Sequence, residues 1–226
     1  MIVLRVFFII HDMLYWDTVT KNLRDSLIIL MQAESLSEFR LVGGTALSLH
    51  YGHRMSEDID LFTDATYGSV DFDNIERFLQ DNFNYLNGKL GGNPGMGKSY
   101  IIGKDAYNVV KLDLYYTTDP FFDKVVEREQ VRMASIEDII AMKVDVVQRG
   151  GRKKDFWDLH EAFTSYSVEQ MIAFHKKRYE WTHDEAVIRR NFTDFGRADK
   201  DFDPMCLKSK HWGFIKEDIK ETLINS

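Results

Sequence analysis

The sequence contains a single cysteine, Cys206, and no metal-ligand spacing surrounds it. One cysteine cannot form an internal disulfide, so a disulfide-stabilised secreted scaffold is excluded and a reducing compartment is expected. The chain also lacks an excess of positive charge, because its formal net charge is -7. A protein with a basic surface all over is therefore excluded, and any contact with nucleic acid has to come from a local patch.

Long hydrophobic runs are missing as well. The most apolar stretch, MIVLRVFFII at the N-terminus, is about half as long as the ~20 residues that a membrane-spanning helix needs, and Arg5 interrupts it. No small-residue cleavage site follows it before His11 and Asp12. We therefore expect no membrane association, a cytoplasmic location, and an N-terminal extension over residues 1–12 that stands apart from the domain.

What the chain does have is enough apolar material for a core. Its 226 residues are 44% hydrophobic and 13% aromatic, which fits one domain of moderate size with a helical appendage. We place the main domain at residues 13–165 and a helical accessory region at residues 166–226. Neither shows a repeat or a low-complexity segment.

Hydrophobic periodicity and turn residues predict the order of the elements. Apolar residues at helical spacing predict helices over residues 18–33 and 71–83, and Ser135 is a good N-cap for a third helix over residues 135–147. Further helices are expected at 45–51, after Gly43-Gly44, and from Asp155 onward. Strands are predicted at 39–42 and 58–62, and the glycine-rich stretch 85–117 reads as strands and turns, with its strongest strand at 109–116.

Paired carboxylates occur on one of these strands. Asp58 and Asp60 are two residues apart, so both side chains point to one face of the strand while Ile59 and Leu61 point to the other. Two like charges side by side are costly unless a cation lies between them, and Mg²⁺ commonly shares such a pair with substrate phosphates. Alone, the Asp-x-Asp pattern is common and equally fits two solvated aspartates.

The surroundings of this pair favour a phosphate-binding site. Gly43 and Gly44 lie between a predicted strand and a helix N-terminus, where backbone amides can approach a phosphate and the helix dipole favours its charge. A third carboxylate, Asp113, follows on another predicted strand, with Leu112 and Leu114 expected to face the core. Three aspartates on two strands beside a phosphate-binding turn form a pattern typical of a two-metal site.

The segment LVGGTALSLHYGHRMSEDIDLFT resembles the signature of the AbiEii/AbiGii-type toxin nucleotidyltransferases, a branch of the DNA polymerase β-like superfamily. The resemblance continues in KLDLY, SIEDIIAMKVDVV and RGGRKKDFWDLHEAF, and it spans about residues 13–163. It implies an α+β fold with a mixed sheet flanked by helices, a Mg²⁺ or Mn²⁺ cofactor, a nucleoside triphosphate donor and transfer to tRNA or another macromolecular acceptor. A cognate antitoxin is the implied protein partner.

The resemblance also assigns residues. The catalytic side chains that it implies are Asp58, Asp60, Asp113, Lys143 and Asp155. The three aspartates Asp58, Asp60 and Asp113 would also hold the metal. Lys143 would meet the triphosphate and Asp155 would orient it; without the resemblance, Lys143 would be interpreted as a surface lysine. Contacts to the nucleotide are expected from Gly43, Gly44, Thr45, Arg54 and Ser56.

Two clusters of basic residues are candidates for contacts with a phosphate backbone. One comprises Arg149, Arg152, Lys153 and Lys154, beside the expected site, and the other comprises His175, Lys176, Lys177 and Arg178. The aromatic residues near them, Trp157, Tyr179 and Trp181, are candidates for base stacking. Ordinary solvated charges and core aromatics are the alternative interpretation.

Three other functions are alternatives to transfer of a nucleotidyl group to a macromolecule. A nucleotidyltransferase could modify a small molecule, as antibiotic-modifying enzymes do, or the fold could bind nucleotides without turnover. The segment GNPGMGKS at residues 92–99 also matches the P-loop of ATPases and kinases. We reject the P-loop because it requires a helix directly after Ser99, whereas the sequence there predicts strand, turn and strand.

Overall fold

A computed structural model describes residues 13–224, so the extension expected at residues 1–12 lies outside the described residues. The described part folds as a mixed seven-stranded sheet with helices packed around it, which confirms the α+β class. The helices are α1 (Lys21–Gln32), α2 (Gly43–Tyr51), α3 (Phe72–Asn82), α4 (Ile136–Gln148), α5 (Lys153–Ala162), α6 (Val168–Arg178), α7 (Glu185–Asn191) and α8 (Trp212–Ile224). The strands are β1 (Arg40–Leu41), β2 (Asp58–Thr63), β3 (Tyr85–Gly88), β4 (Gly97–Asp105), β5 (Asn108–Tyr116), β6 (Val126–Arg128) and β7 (Val131–Met133).

The sheet places the two aspartate-bearing strands side by side. Its strand order is β3-β4-β5-β2-β1-β7-β6. The pairing of β2 with β5 is parallel, as is that of β1 with β7, and the remaining neighbours are antiparallel. The register of β2 with β5 is unbroken from Asp58 to Thr63, so paired residues point their side chains to the same face along the whole length of the pair.

The helices begin where their capping residues predict. The Thr20 side chain accepts a hydrogen bond from the amide of Leu23 at the start of α1, and Ser135 accepts one from the amide of Asp138 at the start of α4. Helix α2 begins two residues earlier than expected, because Gly43 and Gly44 form its first turn instead of preceding it.

The glycine-rich stretch forms the antiparallel strands β3, β4 and β5, and β4 continues from Gly97 through Ser99 to Asp105. No helix follows Ser99, so the rejection of a P-loop is confirmed. Lys98 is also unavailable to a phosphate, since its Nζ lies 2.5 Å from Glu76 Oε1 and 3.0 Å from the carbonyl of Gly91. The short strands β6 and β7 carried too little sequence pattern to be predicted.

Two hydrophobic clusters hold the molecule together. The first lies between the sheet and helices α1, α2 and α3. The second is built from apolar faces of α4 to α8 and contains the largest buried aromatics of the C-terminal half, Phe156, Trp157 and Phe192. Helix α4 contributes Ile139 to the first cluster and Ile140, Val144 and Val147 to the second. The two cores therefore meet along α4.

The chain after α7 returns to the loop that precedes β2. The amide of Met55 donates to the carbonyl of Met205 at 2.9 Å, and the amide of Leu207 donates to the carbonyl of His53 at 2.9 Å. Arg54 and Cys206 form the antiparallel bridge between these hydrogen bonds. None of the helices described over residues 13–224 is both long enough and apolar enough to cross a membrane.

Candidate active site

The three aspartates predicted from the sequence lie on one face of the strand pair β2 and β5. Asp60 is the direct register partner of Asp113, and Asp58 is the partner of Lys111. The alternating apolar residues point the other way, and Ile59, Leu61, Leu112 and Leu114 are fully buried. Adjacent strands are roughly 4.8 Å apart, so the backbone brings the carboxylates of Asp60 and Asp113 next to each other.

These carboxylates repel one another in a partly buried setting. Burial, together with the charges of Asp113 and Asp58, raises the pKa of Asp60 to about 6. Lys111 Nζ lies 2.5 Å from Asp113 Oδ2 and offsets part of the charge. Asp113 Oδ1 is buried without a hydrogen-bond partner among the described residues. A cation would relieve both the repulsion and the unpaired oxygen.

The donor chemistry fits the divalent metal that the sequence resemblance implies, because carboxylate oxygens are the ligands that Mg²⁺ and Mn²⁺ prefer. Within residues 13–224, however, no three His, Cys, Asp or Glu side chains are grouped closely enough to form a complete metal site. Asp60 and Asp113 are direct partners across the two strands, and Asp58 lies two residues before Asp60 on β2.

The first turn of α2 approaches these carboxylates closely. Gly43 has a φ of +71°, which side-chain-bearing residues rarely adopt, and a Cβ at this position would lie 2.6 Å from Asp60 Oδ2. A Cβ on Gly44 would collide with the guanidinium of Arg54. Both positions therefore need glycine, and the two glycines bring the N-terminus of α2 and its free amides to the carboxylate face.

A buried ion-pair network lies behind the site. Lys143 Nζ is 2.7 Å from Asp155 Oδ1 and 2.8 Å from Asp158 Oδ2. Arg54 donates to both oxygens of Asp158, from Nε at 2.7 Å and from Nη2 at 2.9 Å. His53 Nε2 lies 2.8 Å from Asp158 Oδ1. The interpretation of Lys143 as a surface lysine is wrong, since its relative exposure is 6%.

Mutual pairing favours the charged forms of Asp158 and Lys143 in spite of their burial. Burial alone would raise the pKa of Asp158, but Arg54 and Lys143 outweigh that effect and hold the pKa well below its usual value. Burial likewise would lower the pKa of Lys143, and Asp155 and Asp158 raise it. The ion pairs with Asp155 and Asp158 hold the ammonium of Lys143 in place, and the role of Asp155 in orienting Lys143 toward a nucleotide stays a prediction.

A cavity of about 300 Å³ opens over Gly43, Gly44 and Asp60, and we call it the cationic cavity. Its basic side chains are Lys143, Arg149, Arg152 and Lys154. Arg149 pairs with Asp145, Arg152 with Asp155, and Lys143 with Asp155 and Asp158. In contrast, Lys154 has no ion pair or side-chain hydrogen bond within the described part of the chain.

Among the residues that the structure describes, Lys154 is thus the basic side chain of this cavity without a charged partner. Burial lowers its pKa, and the neighbouring charges of Arg152 and Lys143 lower it further, whereas Asp58 raises it. A half-buried ammonium among other cations gains stability when it meets a negatively charged ligand. The sequence placed Lys154 only within a basic cluster and did not single it out.

A second cavity, of about 510 Å³, lies on the Asp58 side of the carboxylates, and we call it the tail-side cavity. Lys154 lines both cavities, so they adjoin at this side chain. The loop before β2 contributes Arg54, Ser56 and Glu57 to the tail-side cavity, and the chain after α7 contributes its outer wall, Asp203, Pro204 and Met205.

Several residues predicted from the sequence occupy supporting positions. Thr45 is buried, and its hydroxyl donates to the carbonyl of Asp58 and lies 2.8 Å from the hydroxyl of Ser56. These bonds tie α2 to the start of β2. Arg54 lines the tail-side cavity, but Asp158 and the Met55 carbonyl engage its guanidinium. Their contact with a nucleotide stays a prediction.

The structure separates the members of the two basic clusters. Lys153, His175 and Arg178 are buried, and Arg178 pairs with Asp138 at 2.7 Å. The prediction that Trp157 stacks on bases is wrong, because its side chain is 1% exposed and lies in the second hydrophobic cluster. Tyr179 lines the cationic cavity, and Trp181 is 92% exposed.

Asp158 is absent from the residues predicted from the sequence, although the sequence carries a signal for it. Asp155 and Asp158 are three residues apart in a helix, a spacing that puts both side chains on one face. Both are fully buried and face Lys143. Two aspartates on the buried face of an amphipathic helix indicate a buried cationic partner, because unpaired charges are rarely buried.

Comparison with known proteins shows the family to which the chain is similar. Residues 27–225 match the family model described as "Nucleotidyl transferase AbiEii toxin, Type IV TA system". The match runs through the C-terminal tail, which the sequence resemblance had left outside. An uncharacterized protein of Aquifex aeolicus strain VF5 is 25% identical over 221 residues, which cover 91% of this chain and 98% of that protein.

Solved structures show the same fold. A proposed nucleotidyltransferase from H. pylori superimposes with a TM-score of 0.60 at 19% identity, covering 90% of both chains. MenT4, a nucleotidyltransferase toxin from Mycobacterium tuberculosis H37Rv, superimposes with a TM-score of 0.58 at 12% identity, covering 90% of this chain and 83% of MenT4. The nucleotidyltransferase fold expected from the sequence is confirmed.

Proposed function

The chain belongs to the AbiEii nucleotidyltransferase toxin family of type IV toxin–antitoxin systems, and we propose that it transfers a nucleotidyl group from a nucleoside triphosphate to tRNA or another RNA acceptor. A cognate antitoxin is its partner in such a system. Under this proposal the reaction takes place in the cytoplasm, where both substrates occur, and depends on Mg²⁺ or Mn²⁺.

The observation that carries the proposal is the pairing of Asp60 with Asp113 beneath the first turn of α2. Asp58, Asp60 and Asp113 would hold the metal, whose chemistry is to neutralise charge on the α-phosphate region and the leaving pyrophosphate. Backbone amides at Gly43 and Gly44 would receive phosphate oxygens at the positive end of the helix dipole.

The cationic cavity fits the triphosphate. Lys143, held in place by Asp155 and Asp158, presents a fixed positive charge to it. Lys154 adds an ammonium without a partner among the described residues. Transfer of a phosphoryl-type group depends on positioning and electrostatic stabilisation more than on covalent chemistry by the protein. Charges fixed before the substrate arrives supply this stabilisation without reorganisation.

The test is to incubate the full chain with Mg²⁺, each α-labelled nucleoside triphosphate in turn, and total tRNA. We expect label to move to tRNA with at least one triphosphate. A chain with Asp58→Asn and Asp60→Asn should retain the fold and lose the transfer, because asparagine keeps the shape and removes the charge. An Asp25→Asn chain, altered on the exposed face of α1, is the matched control and should transfer normally.

Two outcomes would contradict the proposal. If the wild-type chain neither transfers label nor binds any triphosphate by calorimetry, the nucleotidyltransferase reaction is wrong for this chain. If transfer persists at the wild-type rate in the asparagine variant, the reaction occurs elsewhere and the carboxylate assignment is wrong.

A further inference from the structure

The cationic cavity contains one carboxylate that phosphate binding does not explain. Of the aspartates that line it, Asp60 belongs to the carboxylate face and Asp155 pairs with Lys143. Asp145 also lines the cavity, with Arg149 beside it. A carboxylate repels phosphate oxygens, so Asp145 suits a part of the nucleotide other than its triphosphate.

Lys143 and Asp145 lie on opposite flanks of the face that α4 turns to this cavity. A helix advances about 100° per residue, so the two side chains point about 160° apart around the axis. Met142, Val146 and Arg149 fall between them, and all of these residues line the cavity. The cavity therefore crosses α4 from a phosphate-binding end at Lys143, past two apolar side chains, to a second end at Asp145.

The Asp145 carboxylate is held in place and still has an oxygen to offer. Its Oδ2 accepts a hydrogen bond from Arg149 Nη2. Its Oδ1 lies 3.6 Å from His175 Nε2, which is beyond ordinary hydrogen-bond length, and accepts no hydrogen bond from the residues that the structure describes. Acceptors in buried positions normally have a partner, so Oδ1 is available to a donor on a ligand.

Arg149 places donors beside this acceptor. Its Nε donates to the carbonyl of Asp145 at 3.3 Å and its Nη2 to the carboxylate. A guanidinium has five N–H groups, and Nη1 donates to no residue within the described ranges. The pair therefore presents an acceptor and a donor side by side at the second end of the cavity.

This pair complements the edges of two nucleobases. Adenine and cytosine each have an exocyclic amino group, which donates, next to a ring nitrogen that accepts. Guanine and uracil have an oxygen in place of that amino group and an N–H in place of that ring nitrogen. An oxygen facing the Asp145 carboxylate and an N–H facing the Arg149 guanidinium leave both partners unsatisfied, which is costly in a partly buried site.

Tyr179 supplies an aromatic wall near the same end. Its ring centroid lies 5.1 Å from that of His175, the residue whose Nε2 approaches Asp145. Tyr179 is half-buried and lines the cavity. Aromatic side chains of this kind contact the faces of bases without regard to their identity, so Tyr179 accommodates a base whose edge the Asp145–Arg149 pair reads.

We propose that Asp145 and Arg149 select the base of the nucleoside triphosphate, and that they favour adenine and cytosine over guanine and uracil. Asp145 accepts from the exocyclic amino group and Arg149 donates to the adjacent ring nitrogen. The inference rests on the proposed function, since it names the donor of the same site.

The first test varies the nucleotide and leaves the protein unchanged. The full wild-type chain is titrated by calorimetry, with Mg²⁺ and without RNA, with ATP, CTP, GTP, UTP and purine riboside triphosphate, which is ATP without its amino group. We expect ATP and CTP to bind roughly tenfold more tightly than the other three or better, since a well-placed pair of hydrogen bonds to a base edge discriminates by about that factor.

The second test exchanges the acceptor for an amide. Asp145→Asn retains the shape of the side chain, but its NH₂ group donates to the oxygen of guanine or uracil. The preference of ATP over GTP and of CTP over UTP should fall by roughly tenfold or reverse. The matched control is Asp25→Asn, the same change on the exposed face of α1, which should retain the wild-type order of affinities.

The outcomes separate this inference from the proposed function. Equal affinity for ATP and purine riboside triphosphate, or tighter binding of GTP or UTP by the wild type, overturns the assignment of the base while the nucleotidyltransferase reaction stands. A wild-type preference that persists in folded Asp145→Asn shows that another part of the site reads the base. If Asp145→Asn does not fold, the purine riboside comparison decides. Failure of the wild type to bind any triphosphate would instead refute the proposed function.

Discussion

At the scale of single residues, Asp158 is the point where the buried charges beside the site converge, since Arg54, Lys143 and His53 all contact it. We expect Asp158→Asn to lower the free energy of unfolding by about 3–5 kcal/mol, because it leaves two buried cations with too little compensating charge. Urea denaturation monitored by circular dichroism measures this change.

The control for Asp158→Asn is Asp25→Asn, which breaks the exposed pair of Lys21 and Asp25. An exposed pair contributes about 0–1 kcal/mol, so this variant should unfold at nearly the wild-type urea concentration. Similar losses in both variants would show that the buried network is no more important to stability than a surface ion pair.

Replacing Lys154 should lower the transfer activity and leave the free energy of unfolding nearly unchanged. Lys154→Met removes a cation without a partner in the described chain, so unfolding should be nearly unchanged while kcat/KM for transfer falls roughly a hundredfold. Lys176→Met, an exposed change in the other basic cluster, should leave transfer unaltered. Equal effects of the two substitutions on transfer would mean that Lys154 acts only through the general field of the protein.

At the scale of elements, the sequence predicted the strands but not their pairing. Alternation around Asp58, Asp60 and Asp113 correctly predicted which face each carboxylate occupies, because that depends only on the local period of a strand. The parallel register that sets Asp60 beside Asp113 depends on β5 crossing to the neighbour of β2. No local pattern encodes that long-range choice, and the expectation that the aspartates come together rested on the typical pattern of a two-metal site and on the family resemblance.

The turn from β1 into α2 gives a sharper element-scale prediction. Gly43→Ala adds a Cβ that would lie 2.6 Å from Asp60 Oδ2, at a φ of +71°. Gly150→Ala is the matched control, because Gly150 has a φ of +84° and open space around its Cβ. Both variants should lose about 1 kcal/mol or more from backbone strain.

Only Gly43→Ala should also abolish transfer, since it displaces the carboxylate that the helix N-terminus faces. Triphosphate binding by calorimetry and transfer to tRNA distinguish the two variants. Activity in Gly43→Ala comparable to that in Gly150→Ala would show that the close approach of α2 to Asp60 is not needed for the reaction.

At the scale of the whole molecule, the sequence analysis separated a domain at residues 13–165 from an accessory region at 166–226. The two regions share a hydrophobic core, because helices α4 and α5 from the first region pack in one cluster with α6, α7 and α8 from the second. Sequence periodicity shows which face of a helix is apolar but not which partner covers it. For this reason the helical nature of the tail was predictable and its docking was not.

Trp212 tests whether the tail folds as one unit with the rest. Its ring stacks on Trp157 with centroids 6.4 Å apart and an interplanar angle of 12°, and it contacts Phe195 at 5.5 Å. Trp212→Ala should lower the free energy of unfolding by about 3–5 kcal/mol, and the protein should still unfold in a single transition by both near-ultraviolet and far-ultraviolet circular dichroism. Two separate transitions, with only the first shifted by the substitution, would establish residues 166–226 as an independently folding region. A single shifted transition would mean that residues 166–226 unfold together with the sheet that carries the carboxylates, as their shared hydrophobic cluster predicts.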